Sequence, residues 1–419
     1  MKNLRMICMA MMMFAVTVVS QAQHEHWWEQ ESMTGGFLGL NEALEPTGIE
    51  TAFSATSVYQ RNVKGGLSTD SRQGEFAGSY DLEVTFDLQR MLGMDGILFL
   101  HGEGGWTDSE GIDGVSVGSA FGVNADAIGN RSMDIVEFYY ETAFWDNAFQ
   151  FRIGKLDMTG GFECRGCPVS FDGNMYANDE ATQFLNGALV NNPTIPFPDY
   201  GLGAIIHWNP VEDWYLSVGI ADAQADGRET GFNTAFHDEA YFVYMAETGV
   251  TPHLHSDKGI LPGAYRVGVW YDPQPKANSD ASKEYRDDTG LYVSCDQKLT
   301  NENDRPDDTQ GLGSFFRYGY APSRANDMSC FYSLGVQYKG LLEGRDDDVL
   351  AIGYAHGTFS DKADSTYPED YESVTELYYS AVVTRWMTVS PSVQYITNPG
   401  GANGVSDAVV LGLRALITF

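Results

Sequence analysis

Apolar and polar positions alternate along most of this chain with a period of two. The segment 75–88 shows it most cleanly. Leu82, Val84, Phe86 and Leu88 fall on one face, and Asp81, Glu83, Thr85 and Asp87 on the other. The last segment repeats the pattern, with Val409, Leu411, Leu413, Ala415, Ile417 and the terminal Phe419 against Val410, Gly412, Arg414, Leu416 and Thr418. Successive side chains of an extended strand point to opposite sides, so each run predicts a strand with one apolar and one polar surface. Three carboxylates on the polar face of one strand fit a water-filled interior better than the dry interior of a soluble sandwich, where unpaired charge is costly.

About sixteen such segments can be counted. They are 48–60, 75–88, 97–106, 134–144, 149–154, 201–208, 214–221, 240–247, 263–271, 291–297, 314–320, 332–338, 349–356, 375–383, 387–395 and 408–419. Connections after even-numbered segments are short where they are clearest (145–148, 209–213, 384–386), and 158–200, after the fifth segment, is by far the longest. Trp208, Trp214, Tyr271, Tyr320, Tyr338, Trp386, Tyr395 and Phe419 lie near segment ends, as interfacial aromatic girdles do. The pattern predicts an all-β fold, a transmembrane antiparallel β-barrel of about sixteen strands over 48–419, with an inward-folding third outside loop at 158–200.

The start of the chain agrees. Lys2 and Arg5 precede an apolar run from Met6 to Ser20, and Ser20-Gln21-Ala22 offers small residues for cleavage. This reads as a secretory signal peptide over 1–22, since roughly 15 apolar residues fall short of the ~20 a spanning helix needs. Residues 23–47 are then an N-terminal periplasmic or plug segment. The predicted location is the bacterial outer membrane, with its lipids as surroundings.

Composition sharpens this. Aromatics make up 13% of the chain, with 23 Tyr, 23 Phe and 46 Gly, while the formal charge is −33. Phosphate binding needs a basic face, so a nucleic-acid partner is excluded. The acidic field either concentrates cations in a vestibule and tolerates neutral solutes, or belongs to solvated loops such as Asp287-Asp288 and Asp307-Asp308. Beyond the signal segment the cysteines are Cys164, Cys167, Cys295 and Cys330. An exported protein favours pairing, so Cys164 with Cys167 and Cys295 with Cys330 are disulfide candidates, with free thiols or a metal half-site as alternatives for the CxxC. No cofactor is expected. No nucleophile–base pair stands out, and His253-x-His255 lies in a predicted periplasmic connection.

Several stretches in order carry a family likeness. They are Phe151-Arg-Ile-Gly-Lys-Leu-Asp157, Leu261-Pro-Gly-Ala-Tyr-Arg-Val-Gly268, Gln310-Gly-Leu-Gly-Ser-Phe-Phe-Arg317 leading into Gly319-Tyr-Ala-Pro322, Gly340-Leu-Leu-Glu-Gly-Arg-Asp-Asp-Asp348, Gln394-Tyr-Ile-Thr-Asn-Pro-Gly-Gly401 and the closing strand. From about Trp27 to Phe419 the chain resembles a carbohydrate-selective porin of the OprB type. That resemblance implies a single-chain barrel that passes mono- or oligosaccharides across the outer membrane by diffusion. A homotrimer and a monomer are both compatible with it. The cysteine-bearing loop and the heavy acidic balance depart from the family pattern, and both bear on substrate preference rather than fold.

A sugar is neutral, rich in hydroxyls and has apolar ring faces, so its path needs donor–acceptor pairs and aromatic surface. On the fourth strand Glu137, Tyr139 and Glu141 alternate with Val136, Phe138 and Tyr140, which are expected to face lipid. Arg152 on the fifth strand is expected to face inward beside one of those glutamates, as a wall-bracing ion pair, a sugar contact or both. Lys155 and Asp157 lie where the fifth strand meets the long loop, although Lys155 has lipid-face parity and needs a bulge or strand end to reach the lumen. Arg266 and Trp270 share the inner face of the ninth strand and Arg317 that of the eleventh. Trp270 is read as either a stacking platform or a girdle residue. Arg165, Phe171 and Asp172 in the long loop either enter the lumen or stay at a solvated tip. The alternatives on the same evidence are a general or cation-leaning porin, a barrel enzyme, and a structural or adhesive barrel. A plugged transporter of ~22 strands is excluded by length.

Overall fold

Alternation becomes hydrogen-bonded strands throughout the computed structural model, which describes residues 27–70, 74–107, 111–159, 170–229, 231–236, 240–277, 283–305, 309–361 and 367–419. The barrel strands are β1 (Ile49–Gly66), β2 (Gly74–Asp87), β3 (Ile97–Gly105), β4 (Arg131–Phe144), β5 (Phe149–Leu156), β6 (Gly201–Val211), β7 (Trp214–Asp222) and β8 (Phe242–Val250). They continue as β9 (Gly259–Asp272), β10 (Asp288–Lys298), β11 (Gly311–Tyr320), β12 (Met328–Lys339), β13 (Val349–Phe359), β14 (Tyr371–Thr384), β15 (Met387–Thr397) and β16 (Ser406–Thr418). Each pairs antiparallel with the next, and β16 returns to β1 with Ser54 opposite Thr418. The sixteen strands therefore close into a barrel with no free edge, and every predicted segment maps onto one of them.

Turn chemistry separates the two ends. Trp145, Asp146 and Asn147 turn β4 into β5 with positive φ at all three positions, and Arg385-Trp386 alone joins β14 to β15. The other end carries the long loops. The outer surface is apolar: Val267, Val269, Leu291, Leu334, Ile352, Leu411 and Leu413 are all exposed on it. A contiguous apolar band on this scale is a bilayer surface. A row of rings edges the short-turn end, with Phe149 stacked at 5.8 Å on Phe144 and at 5.6 Å on Trp208, which lies 6.3 Å from Trp214.

The C-terminus completes the closure. The Phe419 N–H donates to the Phe53 carbonyl at 2.9 Å, and the two rings sit 5.3 Å apart. The segment before β1 lies along the same rim. There Met33 N–H donates to the Thr418 carbonyl at 2.8 Å, and the Trp386 indole donates to the Trp27 carbonyl at 3.0 Å.

Two details differ from the sequence reading. Val136 is buried rather than lipid-facing, because the β3–β4 register shifts between His101 and Gly102 and the resulting bulge inverts parity there. Cys295 and Cys330 are both free. β11 runs between them, with Cys295 beside Phe316 and Cys330 beside Tyr320. Two strand spacings, about 9.5 Å, exceed the ~7 Å between Cα atoms that a disulfide can bridge. Cys164, Cys167 and Arg165 lie outside the described residues.

Candidate functional site

Inward positions on the far wall of the barrel hold long polar side chains aimed at loop backbone. Arg266 on β9 donates to the Gly173 carbonyl, to Ser294 Oγ at 3.3 Å and to Asp296 Oδ2 at 3.1 Å. Arg317 on β11 donates to the carbonyls of Leu189, at 3.1 Å, and Ala177. Arg414 on β16 donates to the Glu180 carbonyl at 2.7 Å. Carboxylates take the loop's N–H groups: Glu247 accepts from Asp172 at 3.1 Å, and Glu376 from Leu185 and Asn186 at 3.0 and 2.9 Å. The 170–200 segment is thus drawn into the lumen and its buried backbone is satisfied by barrel side chains. β11 also makes room for it. A Cβ on Gly313 would fall 2.1 Å from the Tyr176 ring, and one on Gly319 2.0 Å from Thr194 Oγ1.

A second loop, between β3 and β4, enters as well. Gln60 and Gln394 both donate to the Val123 carbonyl, at 2.7 and 2.8 Å, and Glu372 accepts the Ala120 N–H at 2.8 Å. The two loops bind each other through Ala125 N–H to Leu185 O at 2.8 Å and Gly187 N–H to Gly122 O at 3.1 Å. Ile112, Val117, Val123, Phe184, Leu189 and Phe331 form an apolar core between loops and wall. Part of the lumen is therefore packed like a protein interior.

The inner face of β2 to β5 stays polar. His101 lies 3.1 Å from Asp81 and 3.4 Å from Glu137, and Arg131 lies 3.5 Å from Glu103. Arg152 pairs with Glu141 at 2.7 Å and covers the Tyr139 ring at 4.3 Å, while the other neighbour of that ring is Phe99 at 5.0 Å. The Asp157 N–H donates to Glu137 at 3.0 Å. From the loop, Tyr200 comes within electrostatic reach of Asp157, Glu103, Glu180 and Glu137. Burial, and then Asp179, Asp157 and Glu103, push the Glu180 carboxyl up to about 7. Burial and the neighbouring Glu137 push Asp157 up to about 6 against the opposing Thr159 hydrogen bonds. Carboxylates outnumber cations on this face.

The residues singled out from sequence divide in two. Glu137, Tyr139, Glu141, Arg152 and Asp157 come together on the polar face, where the Glu141 side chain keeps 28% exposure. Arg266 and Arg317 point inward but lie beneath the loop, with side chains 0% and 1% exposed. Trp270 is buried among Leu156, Phe171, Ile195 and Tyr292, with Lys276 over its ring at 5.4 Å, so it offers no face to a solute or to lipid. Phe171 and Asp172 are buried inside the barrel. Lys155 keeps its lipid-side parity, and its ammonium donates to the carbonyls of Ile135, Gly227 and Glu229 at 2.9, 2.7 and 2.6 Å, pinning the β7–β8 loop to the rim. His101, Glu103 and Arg131 were not singled out, although the parity of β3 with Asp81 carried the first two. Glu180 and Tyr200 had no local signal, because only the folded loop brings them to the wall. Among the described residues, no group of three or more His, Cys, Asp or Glu is arranged to hold a metal ion.

Comparison with known proteins follows the same lines. Porin B of Pseudomonas aeruginosa is 23% identical, over 92% of this chain and 91% of that protein. The high-pH structure of Pseudomonas putida OprB superposes with a TM-score of 0.80 at 20% identity, covering 94% of this chain and 100% of that one. Its low-pH structure gives 0.57 at 18% identity, over 93% and 99%. The model of the carbohydrate-selective porin, OprB family, matches residues 71–419. A closed barrel with an apolar girdle, a loop-narrowed lumen and a match over most of its length together establish that this chain belongs to the carbohydrate-selective porin, OprB family.

Proposed function

We propose that this outer-membrane porin passes mono- and oligosaccharides by diffusion along the polar face of β2 to β5, opposite Glu180 and Tyr200 of the long loop. The observation that carries the reading is the pairing of fixed donors and acceptors on that face. Arg152 with Glu141, Arg131 with Glu103, and His101 between Asp81 and Glu137 each leave hydrogen-bonding capacity beside the path. Paired charges give a hydroxyl-rich neutral solute partners without trapping an ion, so binding stays weak enough for release. Trp270 and Tyr139 are packed too tightly to offer an aromatic face to the path. On this reading the barrel is a passive channel and not an enzyme. A lipid or peptide hydrolysis assay on the purified barrel that gave turnover would overturn that part.

The test is liposome swelling with size-matched solutes. Glucose entering faster than an amino acid of similar size supports the sugar path, and equal rates overturn it. The excess of carboxylates on the same face favours a second reading, a cation-leaning general porin on the same scaffold. Bilayer reversal potentials in asymmetric KCl, with and without glucose oligomers, separate the two, because sugar blocks the current only on the first reading.

A further inference from the structure

We propose that residues 27–47 form a strap that lies in the inner-leaflet interface of the outer membrane and holds the closing seam of the barrel from outside. This goes beyond the sugar path and uses none of its residues.

The segment touches the strand ends in spatial order. At its start the Trp27 ring lies 5.0 Å from that of Trp386 in the β14–β15 turn, and Glu31 pairs with Arg385 of the same turn at 2.5 Å. The Met33 N–H then donates to Thr418 at the end of β16. Phe37 packs on Phe53 of β1, ring centres 5.6 Å apart, and the Asn41 amide donates to the Thr51 carbonyl at 2.8 Å. At the far end Arg90, from the turn between β2 and β3, donates to the Glu45 carbonyl at 3.3 Å. The pairing of β16 with β1 is what closes the barrel, so one continuous segment bridges the seam.

The contact is on the outer side. Register sets Tyr59 opposite Leu413 and Ala55 opposite Ile417, so the odd positions of β1 share the lipid-facing parity of β16, and Phe53 is one of them. Phe37 therefore meets the barrel where its apolar surface reaches the short-turn end. The backbone is unusual there, with φ of 69° at Gly36, 57° at Phe37 and 60° at Leu38. Left-handed backbone is unfavourable for Phe and Leu and persists where surrounding contacts hold it. The Phe37–Phe53 contact and the Phe37 N–H bond to Thr34 Oγ1, at 3.2 Å, hold it here.

The side chains that the strap leaves uncovered are apolar. Leu38 is 59% and Leu40 46% exposed, and Trp27 and Trp28 are exposed beside them in the segment. Through Phe37 and Phe53 they continue the lipid-facing band at its girdle end, where Phe144, Trp145 and Trp214 are exposed as well. Charge decides which lipid they meet. The segment carries Glu29, Glu31, Glu42 and Glu45 and no Lys or Arg, so it has no attraction to anionic headgroups. Burial of apolar area carries the binding, and the occupant is zwitterionic phospholipid, with Trp and Leu at the boundary between headgroups and acyl chains.

The test places a fluorophore at Leu40→Cys in the full barrel, in a Cys164→Ser/Cys167→Ser/Cys295→Ser/Cys330→Ser background, reconstituted in vesicles of phosphatidylethanolamine and phosphatidylcholine. Asp257→Cys, at the exposed tip of the β8–β9 connection, is the water-facing control. The Leu40 label is expected to lose its emission to a nitroxide near the headgroup end of the lipid chain and little of it to iodide, and the Asp257 label the reverse. A Leu40 label that behaves like the Asp257 label overturns the membrane contact. One shielded from both quenchers overturns it in favour of a protein partner, which energy transfer between labelled barrels would identify as a second copy. For the seam, Leu38→Ser/Leu40→Ser is expected to unfold in urea from the same vesicles about tenfold faster than the wild type, the effect of losing part of two leucine burials. Heat-modifiable gel migration and unchanged conductance establish that this variant starts folded, and an unfolding rate equal to the wild type overturns the seam role.

Discussion

Replacing Arg317 with Met keeps the volume of a long side chain and removes all its donors. In the native protein the guanidinium is 1% exposed and donates to the carbonyls of Leu189 and Ala177, with Asp172 at 3.8 Å. The variant leaves two buried carbonyls without partners and one carboxylate short of a positive neighbour. An unsatisfied buried acceptor costs about 1–3 kcal/mol, so the docked loop loses roughly 3 kcal/mol even if one carbonyl recruits water. That is on the order of a hundredfold in the equilibrium between docked and released loop. The barrel itself should stay folded, because its strands are held by backbone hydrogen bonds that do not involve the Arg317 side chain. Single-channel recording in planar bilayers reads the consequence. Conductance and open-channel noise should both rise, and block by glucose oligomers should weaken, while Arg317→Lys, which keeps the charge and one donor, should fall between. A folded Arg317→Met barrel with wild-type conductance, noise and sugar block would refute the view that arginines position the loop.

Four further predictions follow from the same geometry. Gly319→Val should release the loop in the same sense as Arg317→Met, since its Cβ would fall 2.0 Å from Thr194 Oγ1, and a conductance matching the wild type would contradict this. Arg152→Gln frees Glu141 from its 2.7 Å partner, so cation preference should rise and sugar block fall, and the exchange Glu141→Arg/Arg152→Glu should restore most of both in reversal-potential and block measurements. Cation preference should fall as pH is lowered from 8 to 5. Glu180 and Asp157, held up at about 7 and about 6, carry charge above those values and lose it below them; a flat reversal potential over this range would count against the assignment, and Glu180→Gln should remove the upper part of the change. Deleting Phe419 removes the 2.9 Å bond to Phe53 and the ring contact at the seam, and should lower the yield of heat-modifiable barrel in membranes without altering the conductance of what assembles.

Strand number and parity were legible because lipid outside and water inside impose opposite chemistry on neighbouring positions. Leu411 and Arg414 sort correctly from alternation alone, and hairpin spacing brings Glu141 opposite Arg152. The interior was less legible because period two reports only inside against outside. It cannot tell an inward arginine in water from one under a loop, so Arg266, Arg317 and Trp270 read as lumen wall although the loop covers them. Bulges break the count locally, as at Val136. The loop between β3 and β4 gives no periodic signal, and its docking rests on Gln60, Gln394 and Glu372, side chains from distant strands. The pairing of Cys295 with Cys330 failed for the same reason: sequence spacing does not reveal that β11 lies between them.

The central claim is that solutes cross beside the paired charges of β2 to β5 and are favoured when they are sugars. It is tested most directly by single-channel current at neutral pH while maltose-series oligosaccharides are titrated from one side, on the wild type and on Arg152→Gln. The account predicts concentration-dependent block of the wild-type channel that saturates and that is weakened in the variant. A wild-type current that falls only as far as solution viscosity requires, at every oligosaccharide length, would contradict it.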